Sequence, residues 1–241
     1  MEGITFGLIP GAGGRAWYWH LVAPALRRHG HEAIAFELPA ADDSAGLREY
    51  AAAVVRALSH RKSTRLMLVA QSLGGFTAPL VCEQVDVSLL VLVNAMIPRP
   101  GETPGQWWRD TGYDQAKREQ DRRDGRAAGA PFDPLFEFFH DVPQAVVDEA
   151  WAQGEPHQSN AVFDSECSFA RWPAILTHVL VGRDDRFFPV EFQKRVARER
   201  LGIAAEEMPG GHLMALSRPL ELSERLLALV EAQRGWPSGS G

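Results

Sequence analysis

Ser72 stands in Ala70-Gln71-Ser72-Leu73-Gly74-Gly75, with the apolar run Leu66-Met67-Leu68-Val69-Ala70 before it and a helix-like stretch, Phe76 to Val85, after it. A serine at a strand-to-helix turn, flanked by small residues, reads as a nucleophile elbow. The reason is steric. Such a turn strains the serine backbone, so the neighbours two positions away must be small, and Ala70 and Gly74 are. The turn lifts the hydroxyl clear of the backbone at the mouth of a sheet. It also aims the Leu73 N–H, at the first turn of the helix, where an oxyanion would form. The plainer reading is a glycine-rich turn in which Ser72 merely caps the helix.

A serine hydroxyl is a weak nucleophile at neutral pH and needs a base, and the base needs an orienting carboxylate. Both follow later in the chain, in the order Ser, acid, His. The acid lies in Val181-Gly182-Arg183-Asp184-Asp185-Arg186-Phe187-Phe188-Pro189; Gly182 three residues before and Pro189 four after favour Asp185 over Asp184. The base lies in Met208-Pro209-Gly210-Gly211-His212-Leu213, and none of the seven other histidines sits in such a glycine turn between a strand and a helix. The plainer readings are a surface aspartate capping a helix and an exposed loop histidine. All three candidates fall on loops after predicted parallel strands, the rim where α/β sheets bind ligands.

The elements that must position them alternate. Ile4–Ile9 is a predicted strand leading into Pro10-Gly11-Ala12-Gly13-Gly14, and Trp17–Gly30 a helix with Pro24 in its first turns and a cationic end. His31–Leu38 puts Ile34, Phe36 and Leu38 on one strand face, and Asp42-Asp43-Ser44 is expected to cap a helix reaching His60. Strands follow at Leu66–Ala70, Val87–Val93, Ile175–Val181 and Ile203–Met208, with helices at Val190–Leu201 and Leu213–Ala232. The near-continuous apolar strands are those of a sheet buried on both faces. This predicts an α/β protein: three layers, with a doubly wound, mostly parallel sheet of about six strands.

The alternation breaks between Ile97 and Trp172. That stretch opens with three prolines, carries a charge run from Arg109 to Arg126, and turns aromatic at Phe132, Phe136, Phe138 and Phe139. It reads as a helical lid inserted between two strands, with helices at Val142–Gln153 and Ala161–Ala170 and its candidate mobile part at Tyr113–Gly129. The aromatics argue against a disordered linker. The expected division is a core of residues 1–96 and 173–235, a lid of 97–172, and a flexible tail at 236–241. Trp107, Trp108 and Phe136 are the candidate substrate contacts, although the tryptophans serve equally well as anchors of the lid.

The 241 residues suffice for one large α/β domain, and 45% hydrophobic with 23% charged content is ordinary for a soluble globular protein. A net charge of −6 gives no electrostatic reason to expect nucleic acid or an anionic membrane as partner. Cys82 and Cys167 form no framework and are expected to be free thiols. No signal segment or membrane-length apolar run is evident, so the expected location is cytoplasmic. The Gly11–Gly14 cluster lacks the rest of a phosphate-binding loop or dinucleotide fingerprint, and His20, His29 and His31 lack metal-site spacing, so no cofactor and no metal are expected.

These residues, spread from Ile4 to Leu229, carry a resemblance to α/β-hydrolases of the serine esterase type. Gly11-Ala12-Gly13-Gly14-Arg15-Ala16-Trp17-Tyr18-Trp19 is similar to the opening of the plant methylesterase and hydroxynitrile lyase group and its bacterial relatives. The resemblance implies an oxyanion hole built from the Ala12 and Leu73 N–H groups, a substrate pocket built by the lid, and carboxylesterase activity on a small-molecule substrate. It departs at Pro10, usually histidine, and at Ala70, usually glycine; both positions supply shape rather than a catalytic group. Leu213 replaces the lysine of hydroxynitrile lyases, which counts against cyanohydrin chemistry. Ser72 counts against the epoxide hydrolases and dehalogenases, which carry aspartate at the elbow. Pro79 inside the elbow helix has no explanation in the sequence. The same three residues also suit lactone opening or carbon–carbon bond cleavage on a polyketide-like compound. A small-molecule receptor and an interaction protein with a dead site are the readings from other classes.

Overall fold

Leu89-Leu90-Val91-Leu92-Val93 has every residue buried, as has Leu66 to Gln71 beside it, because a strand covered on both faces has no wet side to mark with polar residues. A computed structural model, describing residues 3–233, gives the arrangement. The strands are β1 (Thr5–Ile9), β2 (Glu32–Ala35), β3 (Leu66–Gln71), β4 (Leu89–Val93), β5 (Leu176–Gly182) and β6 (Glu206–Met208). They form one sheet in the order β2-β1-β3-β4-β5-β6, and every pair is parallel. The register aligns Ile9 with Ala70, Gln71 with Val93, and Gly182 with Met208, so the carboxyl ends of β1, β3, β4, β5 and β6 share one rim.

Side chains leave the sheet alternately and build two cores. Leu66, Leu68 and Ala70 of β3 face one, with Tyr50, Val54, Phe76, Phe192 and Val196. Met67 and Val69 face the other, with Val22, Leu26, Leu222 and Leu226. The first group comes from helices α2 (Leu47–Leu58), α3 (Gly74–Cys82) and α9 (Val190–Leu201), the second from α1 (Val22–Arg28) and α11 (Pro219–Ala232). Helix–sheet–helix is the three-layer, doubly wound architecture expected. Between β4 and β5 the chain makes α4 (Pro104–Asp110), α5 (Tyr113–Arg123), α6 (Pro134–Glu137), α7 (Gln144–Ala152) and α8 (Ala161–Asp164), and a short α10 (Met214–Ser217) precedes α11.

Several local expectations are corrected. The first helix is split into a 3-10 turn, Ala16–Trp19, and α1. Asp42 does not cap α2. It accepts from Ser44 N–H in its own turn, while Gly46 opens the helix and its N–H donates to Glu49 across the first turn. The closing helix breaks before Pro219, which has no N–H to continue it and starts α11 instead. Ala161–Ala170 keeps only the four helical residues of α8. Tyr113–Gly129, the candidate mobile stretch, begins with the eleven-residue α5, whose Lys117 pairs with Asp121 and Glu137. Helix α3 runs through Pro79, and nothing in the structure explains that residue. No helix among the described residues is long and apolar enough to cross a membrane. The expected tail, 236–241, lies outside the described residues.

Candidate active site

Ser72 follows β3 directly and has φ of +49°, in the left-handed region that only a few non-glycine residues enter. Crowding explains its glycine neighbours. A Cβ on Gly74 would stand 2.7 Å from the Pro10 carbonyl oxygen, and one on Gly75 2.0 Å from that of Met96. The strained turn is held on both sides: Ser72 N–H donates to Val93 (3.3 Å), and its carbonyl accepts from Gly75 (3.0 Å) and Met96 (2.9 Å).

Asp185 sits in the loop between β5 and α9, 3% exposed, and its oxygens are fully used. Oδ1 accepts from the Phe187 and Phe188 N–H groups at 2.9 and 2.8 Å; Oδ2 accepts from Gln193 and lies 2.9 Å from His212 Nδ1. An ionised carboxylate only accepts, so Nδ1 carries the imidazole proton and Nε2 is left as an acceptor. His212 Nε2 lies 3.0 Å from Ser72 Oγ, and the imidazole is buried, so water does not compete for it. Asp184, the alternative carboxylate, is exposed and accepts from Gly210 N–H instead. Three residues from three separate loops thus form one hydrogen-bonded chain, an arrangement able to pull a proton off the serine. Aromatic rings enclose the imidazole: Phe138 stacks on it (centroids 5.0 Å apart, 18° between planes), and Phe187 and Phe188 meet it edge-on.

The loop after β1 lies against the serine. A Cβ on Gly11 would be 2.8 Å from Ser72 Cβ. Gly13 N–H donates to Gln158 and Gly14 N–H to the Gly11 carbonyl, while the Ala12 and Leu73 amides have no hydrogen-bond partner among the described residues. Beside this loop opens a cavity of about 600 Å³, with Gly11, Ala12 and Gln71 on one side. Its other walls are Trp17, Tyr18, Phe132, Phe138, Phe139 and Trp151 with Leu213 and Leu216. A larger cavity, about 710 Å³ and bordered by Arg27, His31 and Lys62, opens at the amino ends of β1 and β2, the wrong end of a parallel sheet for ligand chemistry.

The family model of the alpha/beta hydrolases matches residues 8–225. The chain belongs to that family. Among its relatives, the probable esterase PIR7A of Oryza sativa subsp. indica is 25% identical over 95% of this chain and 97% of its own. Norfluorocurarine synthase 1 of a Strychnos species is 22% identical over 94% and 95%. The crystal structure of polyneuridine aldehyde esterase superposes with a TM-score of 0.76 at 22% identity, covering 95% of this chain and all of that one. The likeness to the plant esterase PIR7A thus covers 95% of the chain.

The three aromatic candidates do not reach the cavity beside Ser72. Trp107 is 1% exposed, packs on Phe188 and Phe192, and donates its indole N–H to the Ile97 carbonyl. Trp108 packs on Tyr113 and Phe187 and borders a separate space of about 410 Å³. Phe136 is sandwiched between the Arg126 and Arg186 guanidiniums, each 4.2 Å from its ring centre. Sequence reading missed Phe138, Phe139 and Trp151 because a run of aromatics does not say which ring faces inward. It also missed Gln158, whose side chain crosses from the insertion to Gly13.

Proposed function

We propose that this hydrolase cleaves the carboxylic ester, or a related acyl bond, of a small hydrophobic molecule through an acyl-enzyme on Ser72. The observation that carries the reading is the buried relay Ser72–His212–Asp185, with contacts of 3.0 and 2.9 Å. His212 takes the Ser72 proton as the oxygen attacks the carbonyl carbon, and Asp185 holds the tautomer and stabilises the imidazolium. The Ala12 and Leu73 N–H groups donate to the tetrahedral oxyanion. His212 then protonates the departing alcohol, and water, with His212 again as base, frees the acid. The esterase names of PIR7A and polyneuridine aldehyde esterase support ester hydrolysis over the other reactions the triad permits.

Residues 97–172 act in this reading as the lid. Its support is that they supply the ring stacked on His212 and the Gln158 oxygen bound to Gly13, and that Arg15 bonds to the Gln153, Gly154 and Glu155 carbonyls. The substrate contacts proposed are Phe138, Phe139 and Trp151 in place of Trp107, Trp108 and Phe136. Their aromatic walls suit a ring-bearing acyl or alcohol group, and a cavity of about 600 Å³ suits a small molecule.

A fluorophosphonate probe followed by peptide mass spectrometry tests the reading. The Ser72 peptide is expected to gain the probe's mass in wild type and to react far more slowly in His212→Ala. Wild-type protein that stays unlabelled while a control esterase reacts would sink the proposal and turn attention to ligand binding. A panel of esters, lactones and β-diketones then separates the acyl from the carbon–carbon chemistries.

A further inference from the structure

The β3–β4 ladder ends at Gln71 opposite Val93, and the β5–β6 ladder at Gly182 opposite Met208. Beyond those residues the loops bearing Ser72, Asp185 and His212 need other ties. Asn94, the first residue after β4, lies among all three. It is fully buried and, among the described residues, shares positive φ with only one other non-glycine residue: +45°, against +49° for Ser72. Its backbone N–H donates to Leu180 (3.0 Å), and its neighbours Val93 and Met96 make the hydrogen bonds that fix the Ser72 backbone. Its side-chain Oδ1 accepts the Gly182 N–H at 2.6 Å, three residues before Asp185. Its Nδ2 donates to the Gly211 and His212 carbonyls at 2.9 and 3.2 Å, and Gln71 Nε2 adds a longer bond to the same His212 oxygen.

We propose that Asn94 is a positioning residue for the relay: one amide side chain sets the separation of the acid loop from the histidine loop, while its own strained backbone braces the serine turn. The residue type is required twice. Left-handed φ outside glycine favours asparagine and aspartate. Bonding one N–H and two carbonyls needs an acceptor and two donors on one short side chain; the amide has both, whereas a hydroxyl has a single donor. Aspartate keeps the bond to Gly182 but turns an oxygen against two carbonyl oxygens; glycine keeps the backbone and loses every side-chain bond. Asn94 is fully buried and its side chain is spent on the Gly182, Gly211 and His212 backbone, so its effect passes through His212 and falls on kcat rather than KM.

The activity readouts rest on the hydrolase reading, and a ring spectrum of His212 does not. Asn94→Asp and Asn94→Gly are therefore compared with wild type by ester kinetics, by fluorophosphonate labelling rate, and by long-range ¹H–¹⁵N spectra of the histidine ring. Thermal unfolding checks that each variant is folded. Expected is a fall in kcat of about 100-fold, as for a displaced catalytic group. KM should stay within about threefold of wild type. Labelling should slow in step, and the His212 ring should lose the pattern of an Nδ1-protonated imidazole. A folded variant with a lowered thermal midpoint but wild-type kcat and an unchanged ring spectrum would make Asn94 a brace of the fold only and overturn the proposal. If wild type itself fails to label, the hydrolase reading falls, and the ring spectrum alone decides for or against Asn94. If Asn94→Asp does not fold, Asn94→Gly carries the same readouts.

Discussion

The rim of the sheet and the insertion over it solve opposite problems. At the rim, polar groups are tied by short backbone-directed bonds: Asp185 to two N–H groups, Asn94 to one N–H and two carbonyls, Ser72 to the end of β4 and the chain after it. In the insertion, long charged side chains do the tying. Glu137, 1% exposed, receives Lys117 and Arg126, and Lys117 also pairs with Asp121. The first kind of tie fixes a position to a fraction of an ångström at the cost of glycines and strained φ. The second tolerates movement, since a four-carbon stem can follow its partner. In the proposed reading, residues 97–172 are thus the adjustable cover and the relay beneath them the rigid half.

If the rim is the rigid half, small changes there must have disproportionate effects. The largest expected is on turnover: Asp185→Asn should lower kcat about 10⁴-fold by leaving the imidazole in the wrong tautomer. Kinetics at saturating ester would check it, and a loss under tenfold would mean that Asp185 does not hold the base. Next is Gly75→Ala, whose Cβ would fall 2.0 Å from the Met96 carbonyl oxygen, a backbone atom that cannot swing away. Denaturant unfolding should register a loss of about 3 kcal/mol or more, the upper end for overpacking a core. In the insertion, Glu137→Gln removes the charge shared by Lys117 and Arg126 and should cost about 3 kcal/mol, as breaking a buried ion pair does. That loss should appear as faster hydrogen exchange in 113–137. Equal acceleration in β3 and β4 would mean that the two halves unfold as one unit.

Legibility in the sequence follows the same division. β3, β4 and α9 were readable because continuous apolar runs and a clean helical period each allow one reading; α9 runs from Val190 to Leu201 as expected. The tight turn after β3 was readable because crowding restricts Gly74 and Gly75 to glycine, and composition records that. What could not be read depends on partners far away in sequence. Asn94 looks like the polar end of a strand until Gly182 and Gly211 stand beside it. Trp107 was as good a pocket residue as a core one until α9 covered it. Tyr113–Gly129 reads as a solvated charge run, whereas Asp121 and Glu137 are buried against their cations, whose positions in the fold the sequence does not give.

The smallest predicted effect makes the sharpest contrast, because the same chemical change is made in both regions. Gly125 closes α5 with φ of +73°, and a Cβ added to it would meet nothing within 4 Å. Gly125→Ala therefore incurs only the left-handed backbone strain of about 1 kcal/mol, partly offset by a less flexible unfolded chain. Measured beside Gly75→Ala under identical denaturant conditions, it should shift the unfolding midpoint slightly and leave Ser72 labelling at the wild-type rate. Near-equal losses at the two glycines would mean that the insertion is packed as tightly as the rim. An adjustable cover could not then explain how the substrate reaches the relay, and the cavity would have to admit it as it stands.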